Sequence, residues 1–269
     1  MLDLSPRSFA SLSAYAAAVE IALRRSYPSA LLLVGAAAWV AVALIARDMG
    51  AMSGTMGLGV LAFVGVWALM MAAMMVPSVS PFASFYTRTF TDGRGLRLAM
   101  FSAGYLMAWT AAGIPAFVVA MLVDHIVDDH SRGATALAVV IFVACGVYQL
   151  TPWKDRCLTL CRSPLGFTLR YSAYRGRTRD LRVGAAHGAF CLACCWALMA
   201  LLFAFGLMNV VAMLVIASIV FAEKISARGI GLARVVGAAS LVVAVLVIVR
   251  PSIAAGLYHT NMSMTGGAT

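Results

Sequence analysis

Apolar runs of nearly membrane-spanning length alternate with short polar segments along most of the chain. A helix that crosses a bilayer needs about 20 apolar residues, and several runs come close to this length. They lie at about 29–46, 57–76, 98–123, 134–150, 183–206, 209–223 and 232–250. The sixth run is short and closely follows the fifth, so the two should form a tight helical hairpin. The pattern predicts an all-α, polytopic transmembrane helical bundle of about seven spans.

Lys and Arg are concentrated in every second polar segment. The rich segments are 1–28, 77–97, 151–183 and 224–234, whereas each segment between them holds one basic residue or none. The positive-inside rule assigns the basic segments to the cytoplasm. The N-terminus is therefore predicted inside and the C-terminus outside. Seven spans preserve this alternation, whereas six or eight would break it.

The same segments define the predicted organisation of the chain. Residues 1–28 should form a cytoplasmic interfacial segment, and residues 29–250 a transmembrane helical domain. Within that domain the basic loop 151–183 should lie against anionic lipid headgroups. Residues 251–269 form an external tail. No cleavable signal precedes the first run, so this run should act as an uncleaved anchor.

Composition supports a membrane protein and argues against other classes. Apolar residues make up 63% of the chain, charged residues 11%, and the mean hydropathy is +0.95. A net charge of +10 can indicate nucleic-acid binding, but here the basic residues lie between apolar runs, as topology determinants do. We therefore expect the lipid bilayer, and no nucleic acid, as a partner. Without a phosphate-binding loop, nucleotide-driven pumping by this chain is not expected.

The segment HGAFCLACCWALM, at 187–199, concentrates soft metal ligands in an apolar helix. Spacings of four, seven and eight place His187, Cys191, Cys194 and Cys195 on one helical face. Thiolate and imidazole together favour Cu(I) or Zn over hard cations. The segment is therefore a candidate metal site. The alternative is that these cysteines pack as small hydrophobic residues.

Methionines and a second cysteine pair also lie on the predicted cytoplasmic side. Met71, Met74 and Met75 share a face near the end of the second run, and Met70 pairs with Met74. These methionines are either ion ligands or ordinary core residues. In the basic loop, Cys157 and Cys161 are one helical turn apart and could bind one ion together.

Glu223 ends the sixth run and is followed by Lys224. A carboxylate at the edge of a membrane helix pairs with a neighbouring cation or lines a functional cavity. We expect the first arrangement, with Lys224 or an Arg as the partner. Cys145, alone inside the fourth run, should be a core residue.

The predicted outward loops carry methionine and histidine. Met49, Met52 and Met56 follow the first run in a Gly-rich segment, while the tail contains His259, Met262 and Met264. Thioethers suit Cu(I) in an oxidising compartment, and imidazole also accepts Cu(II). Both groups are candidate sites of external metal capture. Interfacial anchoring is the alternative for the first group. The acidic loop 124–130 is expected to be hydrated.

Thioethers outside and thiolates inside suggest that a metal ion is handed inward across the membrane. Thiolate is the stronger Cu(I) ligand, so affinity would rise in that direction. Met70, Asn209 and Glu223 are candidate residues along the path. Release would require an acceptor thiol in the cytoplasm, and Cys157 and Cys161 could act as the relay.

The motif at 187–199, the following GLMN and the pair Glu223 and Lys224 resemble a family of bacterial integral membrane proteins described only as metal-binding, with no established function. The Met-rich loop, the AMMVPS stretch at 73–78 and the segment YQLTPWKDRCLTLCRSP are similar to the same family. The similarity covers about residues 30–250. The chain departs from the family at Ala193, where Gly is more common. The resemblance implies metal binding in a polytopic membrane protein.

These observations predict a protein that binds copper(I), with zinc as the alternative ion, and transports or delivers it at the bacterial inner membrane. A membrane thiol–disulfide oxidoreductase is an alternative, because Cys191 and Cys194 form a C-x-x-C. Such enzymes need reactive cysteines on the outer side, whereas the charge pattern places these inside. An enzyme is therefore not the favoured prediction.

A non-catalytic assembly factor for a metalloenzyme is the third possibility. A soluble metallochaperone or a metalloenzyme would then be the partner. Small residues permit close helix packing, either within the bundle or in a homodimer; these residues are Gly104, Gly113, Gly184 and Gly188.

Overall fold

The computed structural model describes residues 29–47, 54–88, 90, 92–129, 131–163, 166, 171 and 173–257, and all regular structure within them is helical. The predicted all-α architecture is therefore confirmed for this part of the chain. The interfacial segment 1–28 and most of the predicted external ligands lie outside the described residues. Those ligands are Met49, Met52, His259, Met262 and Met264.

Nine α-helices and one 3₁₀ helix follow one another in the described residues. They are α1 (Ser29–Arg47), α2 (Val60–Arg88), α3 (Arg94–Ala111), α4 (Gly113–Asp129), α5 (Ser131–Gln149), α6 (Pro152–Arg162), α7 (Arg179–Phe205), α8 (Val210–Ile225), α9 (Gly229–Val249) and the 3₁₀ helix Pro251–Leu257.

Six helical stretches in this part of the chain are long and apolar enough to cross a membrane. They are Ser29–Arg47, Val60–Arg88, Arg94–Val127, Arg132–Gln149, Arg179–Phe205 and Gly229–Val249. The sixth predicted run forms α8, which has 16 residues. At 1.5 Å per residue α8 is about 24 Å long, shorter than a hydrocarbon core of about 30 Å. The helices are compatible with a multi-pass membrane protein.

The third predicted run is two helices rather than one. α3 ends at Ala111 and α4 begins at Gly113, with Ala112 as a turn between them. Pro115, in the first turn of α4, has no N–H to donate to the Ala111 carbonyl, and its ring crowds the preceding turn. The proline therefore interrupts the helix without ending the span.

α7 is the most buried of the six candidate spans. It packs against α3 at a crossing made of glycine and backbone. A Cβ atom on Gly184 would lie 1.9 Å from the Phe101 carbonyl oxygen, and one on Gly104 would lie 1.9 Å from that of Leu181. Only glycine permits this approach, so these small residues serve packing within the bundle. Close packing of this kind holds the Cys-bearing helix in the interior.

The basic loop begins with a helix that enters the bundle. Thr151 caps α6 by accepting a hydrogen bond from the Lys154 N–H, and Pro152 occupies the first turn. One face of α6 is buried against α7 and α8, whereas Trp153 on the other face is 69% exposed. This part of the loop thus differs from the surface segment that the sequence predicts.

Polar contacts hold the connecting segments at one end of the bundle. At the end away from α6, α7 and α8 form the predicted hairpin, in which Gly206 has a φ of 96° and Asn209 caps α8. At the same end as this hairpin in the predicted topology, the turn 54–57 is tied to α4. The N–H and hydroxyl groups of Thr55 donate to the Asp124 carboxylate at 2.9 and 2.6 Å.

Candidate metal centre

Three cysteine sulfurs converge on one face of α7. The sulfurs of Cys191, Cys194 and Cys195 all lie within 4.8 Å of one another, and all three residues are buried. The Cys194–Cys195 and Cys191–Cys195 sulfur distances are 3.5 and 3.8 Å. Sulfurs that share a tetrahedral ion at about 2.3 Å lie about 3.8 Å apart. The three thiols therefore have the spacing and the chemistry of a site for a soft metal ion.

The hydrogen-bond partners of Cys191 differ from those of the other two cysteines. Cys194 and Cys195 donate to the backbone carbonyl of Cys191, at 3.1 and 2.7 Å. The Cys191 sulfur instead meets two side chains from other helices. The Lys224 ammonium of α8 lies 3.0 Å away, and the Tyr105 hydroxyl of α3 lies 3.1 Å away. Cys191 is thus the thiol that α3 and α8 contact.

A fourth thiol comes from α6. The Cys161 sulfur lies 3.7 Å from that of Cys194, and it is buried. The hydrogen bond with Cys194, together with burial, raises the pKa of Cys161 well above its usual value. Cys157, one turn earlier on α6, is half-buried, and burial raises its pKa as well. The structure therefore brings Cys161 to the α7 thiols and leaves Cys157 closer to the surface.

A buried ion pair holds α6 beside the thiols. The Lys154 ammonium donates to the Glu223 carboxylate and to the Cys194 carbonyl, both at 2.7 Å. Gln149 donates to the other carboxylate oxygen at 2.8 Å. Burial alone would lower the pKa of Lys154, but the Glu223 carboxylate and the nearby thiols outweigh it and the pKa is raised.

The expected partner of Glu223 was therefore wrong. Lys224 does not pair with its neighbour, because its ammonium reaches Cys191 and the Ser78 hydroxyl of α2, the latter at 2.9 Å. The partner of Glu223 is Lys154, 69 residues earlier in the chain. This corrects the prediction that Lys224 or an Arg would neutralise the carboxylate.

His187 lies one turn before Cys191 in a cluster of aromatic rings. Its imidazole stacks on Phe82 with ring centroids 4.0 Å apart, and Phe101 and Tyr105 lie near it. The buried group of ligand atoms contains the three cysteines and does not include His187. The structure thus separates the imidazole from the sulfurs that the helical spacing grouped with it.

The methionine stripe of α2 is wholly interior. Met70, Met71, Met74 and Met75 are each at most 2% exposed. The Met75 sulfur lies 3.9 Å from the Ser78 hydroxyl, which in turn accepts from Lys224. The end of the stripe is therefore linked to Cys191 by a chain of hydrogen-bonded groups.

The remaining candidates among the described residues, Met56 and Asn209, have other places in the fold. Met56 is buried in the turn 54–57, where it has a φ of 57°. Asn209 accepts a hydrogen bond from the Ala212 N–H and so caps the end of α8 opposite to Glu223. The candidate path residue Asn209 is thus an exposed helix cap in the structure.

The sequence did not single out Lys154, Tyr105, Ser78 or Lys224 as parts of the site. Lys224 carried a signal of its own, a charge in the last turn of an otherwise apolar helix. The other three residues come from different helices. Tyr105 of α3 contacts the Cys191 sulfur, Lys154 of α6 contacts the Cys194 carbonyl, and Ser78 of α2 contacts Lys224. Only the tertiary structure reveals these contacts.

Comparison with known proteins identifies the family. No curated protein and no solved structure matches the chain. A family model described as PpoB2, copper chaperone, matches residues 64–247, more than half of the chain. The matched region includes the α7 thiols, Cys161 and both lysines, and it supports a copper-related, metal-binding role. The chain belongs to the PpoB2 copper chaperone family.

Proposed function

We propose that the protein binds Cu(I) through the sulfurs of Cys191, Cys194 and Cys195 and delivers it to an acceptor at the membrane. Copper is the cargo in this function. The observation that carries the proposal is the convergence of three buried sulfurs within 4.8 Å. Thiolates are soft ligands that suit Cu(I) and Zn, and the family match favours copper.

Release would follow a chain of thiols toward the surface. Cys161 is 3.7 Å from Cys194, so an ion held by the α7 thiols can exchange one sulfur for that of Cys161. Cys157 is one turn away on α6 and only half-buried. An acceptor thiol would take the ion from α6. Each exchange replaces one Cu–S bond by another, so no redox step is needed.

The predicted topology gives the direction in which the thiols would pass the copper ion. With α8 counted as a seventh crossing, the N-terminus lies in the cytoplasm, and α6 and the thiols lie at the cytoplasmic end. Capture on the outer side would then involve Met49, Met52 and Met56, with the tail ligands His259, Met262 and Met264. The α2 methionines are buried sulfur groups between the two sides, and Met208, in the connection at the outer end, is also buried. In this scheme the bacterial inner membrane is the location.

Metal content tests the thiol site. We expect the purified protein, loaded anaerobically with Cu(I), to retain copper, and the triple variant Cys191→Ser, Cys194→Ser, Cys195→Ser to lose it. Cys145→Ser is the matched control, because that buried thiol lies on α5 beside Ser240, apart from the cluster. Equal copper in the triple variant and the control would contradict the proposal.

Transfer and transport are separated by two further measurements. Cys161→Ser should keep bound copper but slow its transfer to a soluble dithiol acceptor, because one exchange partner is missing. Proteoliposomes that accumulate copper above empty vesicles would show transport. Delivery without such flux would assign the protein the role of a chaperone alone.

A further inference from the structure

The Cys191 sulfur occupies a different environment from its two neighbours. Cys194 and Cys195 use their hydrogens on the carbonyl of their own helix. Cys191 meets an ammonium and a hydroxyl group that come from α8 and α3. Donors of this kind, and charged donors above all, favour a sulfur that carries negative charge. The packing of α3 and α8 therefore acts on the copper site through Cys191.

The ammonium of Lys224 is placed by the rest of the fold. Ser78 of α2 accepts one of its hydrogen bonds at 2.9 Å, while the Ser78 hydroxyl donates to the Met75 carbonyl at 2.8 Å. Among the described residues Lys224 forms no ion pair with a carboxylate, because Glu223 is occupied by Lys154 and Gln149. The sulfur of Cys191 is thus the group that this cation faces.

The contact between Lys224 and Cys191 affects the charge balance of the copper site. Three thiolates around one Cu(I) ion leave a net charge of minus two, which is unfavourable in an apolar interior. The Lys154–Glu223 pair is neutral as a unit and offsets none of it. The Lys224 ammonium supplies one positive charge in direct contact with the ligand set. Its removal would leave the full excess uncompensated.

We infer that Lys224 is a positioning residue of the copper site: held by Ser78, its ammonium orients the Cys191 sulfur and balances the charge of the copper–thiolate complex. This inference rests on the proposed function. Groups around a metal site that orient its ligands change metal affinity by about 10–100-fold when they are substituted. Lys224 therefore determines how tightly the site holds a soft cation, although it is not itself a ligand.

Two substitutions at Lys224 separate charge from packing. Lys224→Met keeps an unbranched chain of similar length but removes the charge, whereas Lys224→Arg keeps the charge but changes the shape. In competition with a chromogenic Cu(I) chelator, we expect Lys224→Met to weaken Cu(I) binding by about 10–100-fold. Lys224→Arg should lose less affinity than Lys224→Met. The opposite order, or unchanged affinity in Lys224→Met, would overturn the inference.

A second variant keeps the test decisive if Lys224→Arg fails to fold. Ser78→Ala retains the ammonium but removes the hydroxyl that positions it, so affinity should fall; an unchanged affinity would overturn the positioning role. Thermal unfolding without copper, measured on each variant, identifies folded protein. If the unaltered protein binds no Cu(I), the proposed function fails, and this inference fails with it. If the unaltered protein binds Cu(I) and the Lys224 and Ser78 variants bind it with the same affinity, the proposed function stands and this inference alone fails.

Discussion

Lys154 is a fully buried lysine whose two ammonium contacts join α6 to α7 and α8. Its ammonium meets the Glu223 carboxylate and the Cys194 carbonyl, and Glu223 is held in turn by Gln149. A buried ion pair of this kind adds little net stability, because desolvation offsets the attraction. Breaking it is costly, because one charge is left buried and unpaired. The pair therefore fixes where α6 sits beside the thiols.

Glu223→Gln should destabilise the protein strongly, by about 3–5 kcal/mol, because the Lys154 ammonium loses its counter-charge. Chemical denaturation in detergent measures the change. Asp155→Asn is the matched control, since its ion pair with Arg234 is largely exposed and should contribute less than about 1 kcal/mol. Equal losses of stability in the two variants would show that the buried ion pair contributes no more than the exposed one.

Helical spacing predicted the thiol cluster but not its charged neighbours. Cys191, Cys194 and Cys195 belong to one stretch of helix, so their convergence follows from local geometry. Glu223 and Lys224 are adjacent in sequence, yet adjacent residues on a helix do not face each other. Their side chains therefore contact different residues, and the sequence alone does not predict which ones. Lys154 comes from a segment whose docking depends on the whole bundle.

At the scale of elements, α6 is attached to the helices that carry the site. Arg162 donates to the Ser226 carbonyl in the connection between α8 and α9. Lys154 anchors the first turn of α6, and Cys161 lies near its end beside Cys194. α6 is thus a short amphipathic helix that covers one side of the α7 thiols.

The contact between Cys161 and Cys194 can be trapped chemically. In the variant Cys157→Ser, Cys191→Ser, Cys195→Ser, diamide should oxidise these two thiols to a disulfide, with reduction of its azo group to the hydrazine. We expect this linkage in mass spectra of peptides from the folded protein, because the sulfurs are 3.7 Å apart. Cys145 should remain a free thiol and serves as the internal control. Failure of the folded variant to form this disulfide would show that α6 does not lie on α7.

The crossing of α3 and α7 depends on Gly184. Gly184→Ala would place a methyl group 1.9 Å from the Phe101 carbonyl oxygen, so the helices must separate. We expect a loss of about 1–3 kcal/mol, as in other overpacked interiors, seen as a lower thermal unfolding midpoint in detergent. Gly65→Ala on α2 is the control, because no atom lies within 4 Å of its Cβ position. A comparable loss in Gly65→Ala would refute the packing argument.

Periodicity predicted most helices of the bundle, and it failed where tertiary or local constraints intervene. The break between α3 and α4 follows from Pro115, whose effect on a long apolar run is local. α6 is buried because Lys154 and Cys161 face the bundle. The sequence assigns both residues to the basic surface loop, because that segment is rich in basic residues. The sequence left undecided whether the small residues pack within the chain or against a second copy. The contacts of Gly104 and Gly184 show packing within the chain.

At the scale of the whole molecule, the thiols and α6 lie toward one end and the Asn209 cap toward the other. Charge alternation predicts that the first end is cytoplasmic. The six long helices and the shorter α8 fit that arrangement if α8 crosses with the help of polar residues at its ends. The direction of the proposed copper delivery depends on this orientation.

Single cysteines at exposed sites test the orientation. In a Cys157→Ser background, Gly59→Cys between α1 and α2 should react with a membrane-impermeant maleimide added to intact spheroplasts. Arg177→Cys, in the exposed segment before α7, should react only after permeabilisation. The two variants control for each other, because both positions are exposed in the structure. The reverse labelling pattern would invert the topology and the direction of delivery.

The three α7 sulfurs lie within five residues of one helix, and this has a consequence for the order of assembly. Their mutual spacing is set by the turns of a single element, so the ligand set exists as soon as that helix forms during synthesis. Later docking of α3, α6 and α8 brings the hydroxyl, the fourth thiol and the ammonium. Under the proposed function, a newly made chain therefore carries a complete copper site before the bundle closes, and folding then encloses the bound ion.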